Sequence, residues 1–374
     1  MIKLLCMKDD ILNAISPAML GVASRSSIPV LEGLRMTTEG DEVVLTGYDL
    51  EKGIKSRFKA IKVFEQGSCV FDANQLSSIV KGLPSGEMMI VIDSRGIANI
   101  SSYKTYIDIP TKSDDAYPAL PVLSGNKTIK IKQGMLKKMI NQVIFAVGTG
   151  EQRAILKGVS FKVEDGRLIM TALDGFKLAY RDYFFNEEDG AELYPDLFFI
   201  VPGKSLMDLM KLMNDDDAIV CLELTDRHII VNFGDIIFFS RLIDGEAIDY
   251  NRFIPKNNKT FVTVDTAALI DSCERASLII NEKAKTPVKL LFTEGMIKVS
   301  CSTVTGSIQD EVPALVEGDE VELGFNIKYV IEALRACPEK IRLELSTPRS
   351  SMIITPCDEK DKFIYLVLPV MMKD

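Results

Sequence analysis

The sequence predicts an α+β fold made of three copies of one domain. A pattern of about 125 residues occurs three times along the 374-residue chain, which is typical of a repeat architecture. Each copy contains two short amphipathic helices and two β-rich stretches. A sheet that buries one face needs a covering layer, so each copy is expected to pack its two helices on antiparallel sheets. Three copies joined edge to edge would place the helices on one side of a curved wall, which a second chain could close into a ring.

Apolar residues at helical spacing predict the helices. In the second helix of each copy the spacing i, i+3, i+4, i+7 forms one apolar stripe. These stripes are Leu76, Ile79, Val80, Leu83; Leu206, Leu209, Met210, Met213; and Ile327, Val330, Ile331, Leu334. An earlier companion helix occurs in every copy. Its apolar residues are Leu12, Ile15, Met19; Leu136, Met139, Ile140, Val143; and Leu269, Cys273, Ala276.

Acidic-glycine pairs predict a hairpin turn between the two helices of each copy, because glycine supplies the positive φ that such turns need. The pairs are Glu39-Gly40, Asp165-Gly166 and Glu294-Gly295. Alternating strands follow the second helix, and polar, proline-containing segments at 112–121 and 243–255 mark the joints. The predicted domains are therefore 1–121, 127–245 and 247–374.

Cysteine usage and hydropathy limit the compartment. The seven cysteines are scattered and include no Cys-x-x-Cys pair, which argues against a zinc site and a disulfide framework. The first residues hold too short an apolar run for a secretion signal, and no stretch approaches a membrane span. We therefore expect a cytoplasmic protein with no membrane contact.

The residues offer no catalytic constellation. His228 is the single histidine and lies in a strand-like run, so it cannot build a two-histidine metal site. Gly203-Lys204-Ser205 resembles the end of a phosphate-binding loop, but Phe198 stands where the first glycine belongs. The run Asp215–Asp217 could hold magnesium in principle, although such runs are more often solvated turns. We expect no enzyme, no metal and no cofactor.

The charge distribution leaves two interpretations open. The net charge is −9, whereas the six predicted helical segments sum to +1 and the remainder to −10. Relatively basic helices inside an acidic shell would attract DNA weakly along one wall and repel it elsewhere. The alternative is that the helix surfaces simply carry mixed charge.

Several segments, in order and spacing, resemble the bacterial β subunits of DNA polymerase III, the replicative sliding clamps. Residues 25–31 read RSSIPVL, like the family's segment after its first helix. Residues 45–51 read LTGYDLE where the family has LTGTDLE, and residues 172–179 read ALDGFKLA where it has ATDGHRLA. Further matches are Asp249-Tyr250, Pro255–Asn257, Asn281–Lys283, Gly324–Asn326 with Tyr329, and Leu368-Pro369.

The resemblance implies a head-to-tail homodimer, a ring of six clamp domains that duplex DNA threads, with helices lining the hole. Processivity would come from this topology, so an acidic protein could serve on DNA. The implied partners are the DNA polymerase III alpha subunit, a clamp loader complex with its own ATPase, and other polymerases and mismatch-repair proteins that carry short apolar motifs.

The resemblance also implies a pocket for these motifs between the second and third domains. The matching positions are Leu156, Leu173, Gly175, Lys177, Leu178, Arg252, Asn326, Tyr329, Ser351, Leu366, Leu368, Pro369 and Val370. The alternative for Leu366, Leu368 and Val370 is the inner face of a last strand. Four positions depart from common family residues, so we expect an altered motif preference. They are Leu173, Phe176, Ile248 and Ala284.

For DNA, the resemblance points to Arg25 near the duplex and to Lys138, Arg153 and Lys204 on the inner wall, although each could be an ordinary solvated side chain. Asn74 and Gln75 stand where the family is often basic, so we expect weak direct contact with DNA.

For the ring seam, the resemblance points to Ile107 and Ile109 on a first-domain strand and to Leu278 and Ile279 at a third-domain helix end. Two rival classes remain: an adaptor that uses the pocket without encircling DNA, and an enzyme with an unrecognised site.

Overall fold

The computed structural model describes residues 1–121, 124–125, 127–150, 153–185, 196–280, 286–358 and 362–372. Within these ranges the chain forms six α-helices, as the apolar stripes predict: α1 Lys8–Met19, α2 Ala73–Gly82, α3 Gln133–Val143, α4 Gly203–Leu212, α5 Thr266–Ser277 and α6 Ile327–Leu334. Short 3-10 turns lie at Pro29–Glu32, Ile144–Ala146, Ala154–Lys157 and Tyr250–Arg252.

The described strands follow the repeat. In the first copy they are β1 Ile2–Met7, β2 Gly33–Glu39, β3 Glu42–Tyr48, β4 Lys52–Lys59, β5 Lys62–Glu65, β6 Ser68–Asp72, β7 Glu87–Ile92, β8 Ile97–Ser102 and β9 Thr105–Pro110. In the second they are β10 Lys127–Lys132, β11 Gly158–Glu164, β12 Arg167–Leu173, β13 Lys177–Phe184, β14 Leu197–Pro202, β15 Ile219–Leu224, β16 His228–Asn232 and β17 Ile236–Arg241. In the third they are β18 Thr260–Asp265, β19 Val288–Thr293, β20 Met296–Thr303, β21 Gly306–Glu317, β22 Val321–Phe325, β23 Lys340–Leu345, β24 Met352–Pro356 and β25 Phe363–Val367.

The chain divides into two compact units. The first comprises residues 1–131, 211–213 and 218–242. It holds α1, α2 and two antiparallel sheets, a five-stranded one in the order β5-β1-β7-β8-β9 and an eight-stranded one in the order β10-β15-β16-β17-β4-β3-β2-β6. The second comprises residues 132–210, 214–217 and 243–374. It holds the remaining helices and one twelve-stranded sheet in the order β14-β11-β12-β13-β25-β24-β23-β18-β21-β20-β19-β22.

The apolar stripes cover the sheets, which confirms the predicted α+β class. Leu76 and Val80 of α2 are fully buried in one core with strands β1, β2, β3 and β7, and Leu206 and Val330 are buried on the equivalent helices. The prediction for α1 is partly wrong. Its buried face is Ile11, Ala14, Ile15 and Ala18, whereas Leu12 and Met19 pack only on the margin of the core.

The predicted hairpin turns are present. Gly40, Gly166 and Gly295 have φ of 59°, 72° and 77°, and each lies in a tight connection, β2 to β3, β11 to β12 and β19 to β20. None of the three has an atom within 4 Å of where a Cβ would stand. The glycines are therefore needed for backbone conformation and not for space.

The copies join edge to edge through strand pairs inside each unit. In the first unit β4 of the first copy pairs with β17, the last strand of the second copy, and Phe238 stands opposite Ile54. In the second unit β13 of the second copy pairs with β25, the last strand of the third copy, and Tyr365 stands opposite Ala179. The same two strand positions thus form both joints.

The carboxylate run after α4 is tied to the start of α3. Asp216 accepts hydrogen bonds from Gln133 Nε2 and, at its carbonyl, from the Gly134 amide. Asp215 lies 3.1 Å from Lys137 Nζ and Asp217 lies 3.8 Å from Lys132 Nζ. Acidic groups beside a helix N-terminus stabilise it, which gives this run a structural role.

Candidate functional site

A narrow, mostly apolar cleft with a volume of about 20 Å³ lies in the second unit, beside the end of β12. Its walls are Ile155, Leu156, Gly158, Ser160, Thr171, Ala172, Leu173, Ile200, Glu246 and Ile248. Leu156 and Leu173 were predicted from the sequence, as was the departure at Ile248. This volume holds little more than one water molecule, so a partner's side chain would have to widen the cleft in order to enter it.

Close backbone packing positions one wall of this cleft. The Ile243 amide donates to the Ile200 carbonyl at 2.9 Å. A Cβ at Gly245 would lie 2.3 Å from Cγ2 of Ile155, so only glycine allows this approach. The segment that follows is therefore held against the 3-10 turn Ala154–Lys157, and it carries Glu246 and Ile248 to the edge of the cleft.

The turn after β12 is built around Asp174 and Lys177. Asp174 Oδ1 accepts the amides of Phe176 and Lys177 at 2.9 and 2.8 Å, and Gly175 takes the positive φ of 90° that the turn requires. Lys177 is only 6% exposed, and its Nζ donates to the Phe145 carbonyl at 2.7 Å and to Glu332 at 2.6 Å. The prediction placed Lys177 in the pocket, and its contacts identify it as a support beneath that site.

An aromatic pair stands above this support. The rings of Phe176 and Tyr329 stack with centroids 5.7 Å apart, and Lys177 Nζ lies 4.8 Å from the Tyr329 centroid. Phe176 is 54% exposed, so one face of the pair is open. An exposed aromatic face supplies contact area at little entropic cost, which suits it to binding an apolar side chain.

The segment after β25 is tied to the same turn. The Leu368 amide donates to the Phe176 carbonyl at 2.9 Å, and the Val370 amide donates to the Gly324 carbonyl at 2.8 Å. Leu368 and Val370 are both exposed and follow the end of β25 at Val367. The alternative, that these residues form the inner face of a last strand, is therefore wrong for Leu368 and Val370, which flank Pro369. It is right for Leu366, which is buried on β25.

The other predicted pocket residues have mixed positions. Leu178 and Leu366 stand opposite each other on β13 and β25, buried in a small core on which Leu173 packs. Ser351 is also buried. Asn326 caps α6 by accepting the Lys328 amide, and the exposed Arg252 pairs with Asp249 at 2.9 Å. Ala284 and the segment Asn281–Lys283 lie outside the described residues.

The segment around Arg252 is anchored by aromatic packing. Tyr250 lies on Tyr180 with ring centroids 4.6 Å apart. Burial, with a hydrogen bond between the two hydroxyls, raises the pKa of Tyr180 well above its usual value, so the Tyr180 hydroxyl stays neutral. The packed rings hold the 3-10 turn Tyr250–Arg252 near the small core.

The four predicted DNA-contacting cations are all exposed. Arg25 is in the loop after α1, and Lys138 is on α3 between the buried Leu136 and Met139. Arg153 immediately precedes the 3-10 turn Ala154–Lys157, and Lys204 is in the first turn of α4.

The predicted seam residues differ in exposure. Ile109 is 3% exposed and packs in the core of the first unit, and Ile107 packs against the same core. Their side chains therefore stabilise the unit itself, and what β9 presents outward is its open backbone edge with the exposed Tyr106 and Asp108. Leu278, at the C-terminal end of α5, is 83% exposed.

Three buried thiols and the single histidine have shifted pKa values. Burial raises the thiol pKa of Cys6, Cys69 and Cys273 to about 12. His228 begins β16, and burial with Arg241 and Arg227 lowers its pKa. In the described ranges no helix is long and apolar enough to cross a membrane.

Comparison with protein families matches the whole length of the chain. Models of the N-terminal, central and C-terminal domains of the DNA polymerase III beta subunit match residues 2–121, 130–249 and 251–371, in that order. The chain belongs to the DNA polymerase III beta subunit family. The family that the sequence motifs resemble is thereby confirmed.

Relatives of this family align from end to end. The beta sliding clamp of Bacillus subtilis is 32% identical, covering 97% of this chain and 98% of the relative. The crystal structure of the B. subtilis DNA polymerase sliding clamp has a TM-score of 0.92 at 31% identity, with 100% of both chains covered. A sliding clamp of Pseudomonas aeruginosa bound to griselimycin has a TM-score of 0.90 at 25% identity, covering 99% of this chain and 100% of that one.

Sequence reasoning missed several cleft residues. Ile155, Ser160, Thr171, Ile200 and Glu246 line the cleft without belonging to a quoted motif. Glycine at 245 was the available signal for Glu246, since an isolated glycine beside an apolar run can mark a close backbone approach. The stack of Phe176 on Tyr329 joins residues 153 positions apart in sequence and had no local signal.

Proposed function

We propose that the protein is a replicative sliding clamp: a head-to-tail homodimer that encircles duplex DNA and tethers the polymerase, with no enzymatic activity of its own. The observation that carries this proposal is the rule by which the copies join. Each joint pairs the fourth strand of one copy, β4 or β13, with the last strand of the next copy, β17 or β25. If the same rule applies between two chains, it pairs β21, the fourth strand of the third copy, with β9, the last strand of the first copy of the other chain.

Both of these strands offer an open edge among the described strands. β9 ends the five-stranded sheet. β21 pairs with β20 over Gly306–Pro313, while β18 covers only its last four residues, from Ala314 to Glu317. Unpaired edges favour addition of another strand. If β9 of one chain adds to β21 of another, the contact repeats around a two-fold axis and closes a ring of six copies.

The joints also predict the register of this seam. A two-residue turn precedes each of the strands β4, β9, β13, β17 and β21. Equivalent positions on these strands can therefore be found by counting residues from the end of the turn. Phe238 opposite Ile54 and Tyr365 opposite Ala179 then correspond to Ile107 opposite Ile308 of the second chain.

A cysteine pair at 107 and 308 tests this register. Directly opposed strand residues have Cβ atoms close enough for a disulfide, whereas a shift of two residues separates them by about 7–8 Å. Oxidation of Ile107→Cys, Ile308→Cys should give covalent dimers. The pair Ile107→Cys, Asp310→Cys should not, and equal cross-linking of both pairs would contradict the register.

Leu278 and Ile279 remain our proposed apolar seam contacts on the second chain. Two threonine hydroxyls of the β20–β21 hairpin, on Thr303 and Thr305, donate to the Ile279 carbonyl and so hold this helix end beside the open half of β21. Charged substitutions at Leu278 and Ile279 should give monomers by sedimentation. A dimer of unchanged mass would refute this assignment.

The proposed domains are 1–121, 127–245 and 247–374, close to the limits of the matched family models. We propose that Arg25, Lys138, Arg153 and Lys204 face the DNA and bind it weakly, because topology makes tight binding unnecessary. A low slope of log affinity against log salt in duplex binding would support this, and a steep one would contradict it.

The cleft, the aromatic pair and the exposed Leu368 and Val370 form the proposed binding surface for short apolar motifs. Its partners are the DNA polymerase III alpha subunit, the clamp loader complex, and other polymerases and mismatch-repair proteins. We place this activity in the cytoplasm, with duplex DNA as the track.

The deciding experiment is retention on DNA. The protein, loaded by its clamp loader on nicked circular DNA, is followed by gel filtration before and after a restriction enzyme linearises the circle. Loss only after linearisation is the expected result. Equal retention on both forms would mean ordinary binding, and the ring would have to be abandoned in favour of an adaptor.

A further inference from the structure

We infer that the cleft selects apolar peptide motifs flanked by a basic residue, and that Glu246 is the specificity-determining residue. This inference rests on the proposed binding of short motifs at the cleft and adds the charge of the partner. It starts from the composition of the walls. Of the ten described wall residues, Glu246 is the single charged side chain, and it is exposed at the rim.

The geometry around Gly245 fixes where this carboxylate can be. The backbone at Gly245 lies against the Ile155 side chain, and the Ile243 amide donates to the Ile200 carbonyl, which places this segment beside the cleft. Ile248, two residues beyond Glu246, is itself a wall residue. The backbone of Glu246 therefore lies between two residues that contact the cleft walls, and its exposed side chain is at the rim beside an apolar surface.

The charges near Glu246 favour a cation. Residues 243–248 read IDGEAI and contain Asp244 and Glu246 but no lysine or arginine. The nearest basic residue in the following turn, Arg252, is paired with Asp249. Lys157 is adjacent in sequence to the wall residue Leu156, yet it is not among the wall residues.

A bound motif strengthens this preference. An apolar side chain in the cleft removes water from one side of Glu246, so a flanking lysine or arginine would interact with it at lower dielectric than on the open surface. A flanking glutamate would instead be repelled. Selection by repulsion is as effective as attraction in separating competing partners.

Two labelled peptides serve as probes: Gly-Xaa-Leu-Leu-Phe-Xaa with both Xaa as lysine or both as glutamate. Lysine on both sides makes the result independent of the direction in which the peptide lies. Fluorescence anisotropy should give about tenfold tighter binding of the lysine peptide at low salt. The ratio should shrink as salt is raised from about 50 mM to about 500 mM, as screening requires.

Substitutions then assign the preference to one residue. Glu246→Gln should lower the lysine-to-glutamate ratio by about threefold, and Glu246→Lys should lower it further. Glu320→Gln is the matched control, because Glu320 is an exposed residue of a distant turn and its loss changes the net charge equally. The control should keep the native ratio.

The outcomes separate this inference from the function on which it rests. If both peptides bind and Glu246→Gln keeps the ratio of the Glu320→Gln control, the assignment to Glu246 is wrong while the cleft remains a binding site. If neither peptide binds the native protein, or if Leu156→Asp binds both as well as the native protein does, the proposed motif site itself fails.

Discussion

Two turns of the molecule have the same construction and different surroundings. Asp49 Oδ1 accepts the amides of Glu51 and Lys52 in the first copy, just as Asp174 Oδ1 accepts those of Phe176 and Lys177 in the second. Each turn also receives an amide from the last strand of the next copy. The Arg241 amide donates to the Glu51 carbonyl, and the Leu368 amide donates to the Phe176 carbonyl.

The difference lies in what surrounds each turn. Lys177 is locked to Glu332 and to the Phe145 carbonyl, and the turn carries an aromatic ring stacked on Tyr329. At the first turn the equivalent of Phe176 is Glu51, and Lys52 lies 3.9 Å from Asp49. One backbone design therefore serves as a plain joint in one copy and as the frame of a candidate binding site in the other.

The largest expected effect concerns the two lysines. Lys177→Met leaves Glu332, Asp174 and the Phe145 carbonyl without their buried donor, so we expect the free energy of unfolding to fall by about 2–3 kcal/mol. Lys52→Met should cost less, because the ion pair of Lys52 with Asp49 is longer, at 3.9 Å. Urea unfolding of both variants measures the contrast, and equal losses would mean that the surroundings do not distinguish the turns.

A smaller effect should follow from exchanging the turn residues with positive φ. Leu50 has φ of 76° and is 44% exposed, whereas glycine occupies the equivalent position at 175 with φ of 90°. Leu50→Gly should raise stability by a few tenths of a kcal/mol to about 1 kcal/mol, and Gly175→Ala should lower it by about 1 kcal/mol. In thermal unfolding the Tm should rise for Leu50→Gly and fall for Gly175→Ala. Changes of the same sign would mean that the two turn positions are not equivalent.

The aromatic pair should affect binding more than stability. Phe176→Ala removes one stacked ring that is already half in solvent, so its cost in unfolding free energy should be about 0.5–1 kcal/mol. Peptide affinity at the cleft should nevertheless fall several-fold. Glu51→Ala is the matched control, for which peptide affinity should not change. An unaltered affinity of Phe176→Ala would remove the pair from the site.

The smallest effect extends the comparison to the third copy, where no aspartate frames the equivalent hairpin. Instead Asp310, further along β21, accepts a hydrogen bond from Arg275 that holds the pKa of this carboxyl below its usual value. The stabilisation is therefore present above the ordinary aspartate pKa and is lost as pH falls through the lowered one. Asp310→Asn should flatten the acid side of the stability profile, and an unchanged profile would contradict this.

The sequence predicted what local chemistry controls. Apolar spacing located all six described helices, and acidic-glycine pairs located the hairpin turns, because each depends on residues close in the chain. The spacing failed for Leu12 and Met19, where helix rotation is set by the sheets beneath α1. It also could not assign Ile107 and Ile109 to core or seam, because both readings require apolar residues at the same strand positions.

The candidate site was predictable only in part. Motif resemblance indicated Leu156, Leu173 and Tyr329, and Asn326 directly before the apolar stripe of α6 was a local N-cap signal, but nothing local indicated that Lys177 supports the site from below. The sequence did not indicate Glu246, because its position at the cleft depends on the packing of Gly245 on Ile155. Long-range packing thus determined what the motifs could not.

The length of β21 sets a limit on how firmly two chains can hold each other. This strand changes neighbours midway: Pro313 is its last residue paired with β20, and Ala314 begins its pairing with β18. Proline offers no amide hydrogen at the changeover, and β18 occupies the edge beyond it. An added strand can therefore extend only along Gly306–Val312. In the proposed ring the backbone hydrogen bonds between two chains would be confined to this stretch, so opening the seam would break few of them and would leave both chains folded.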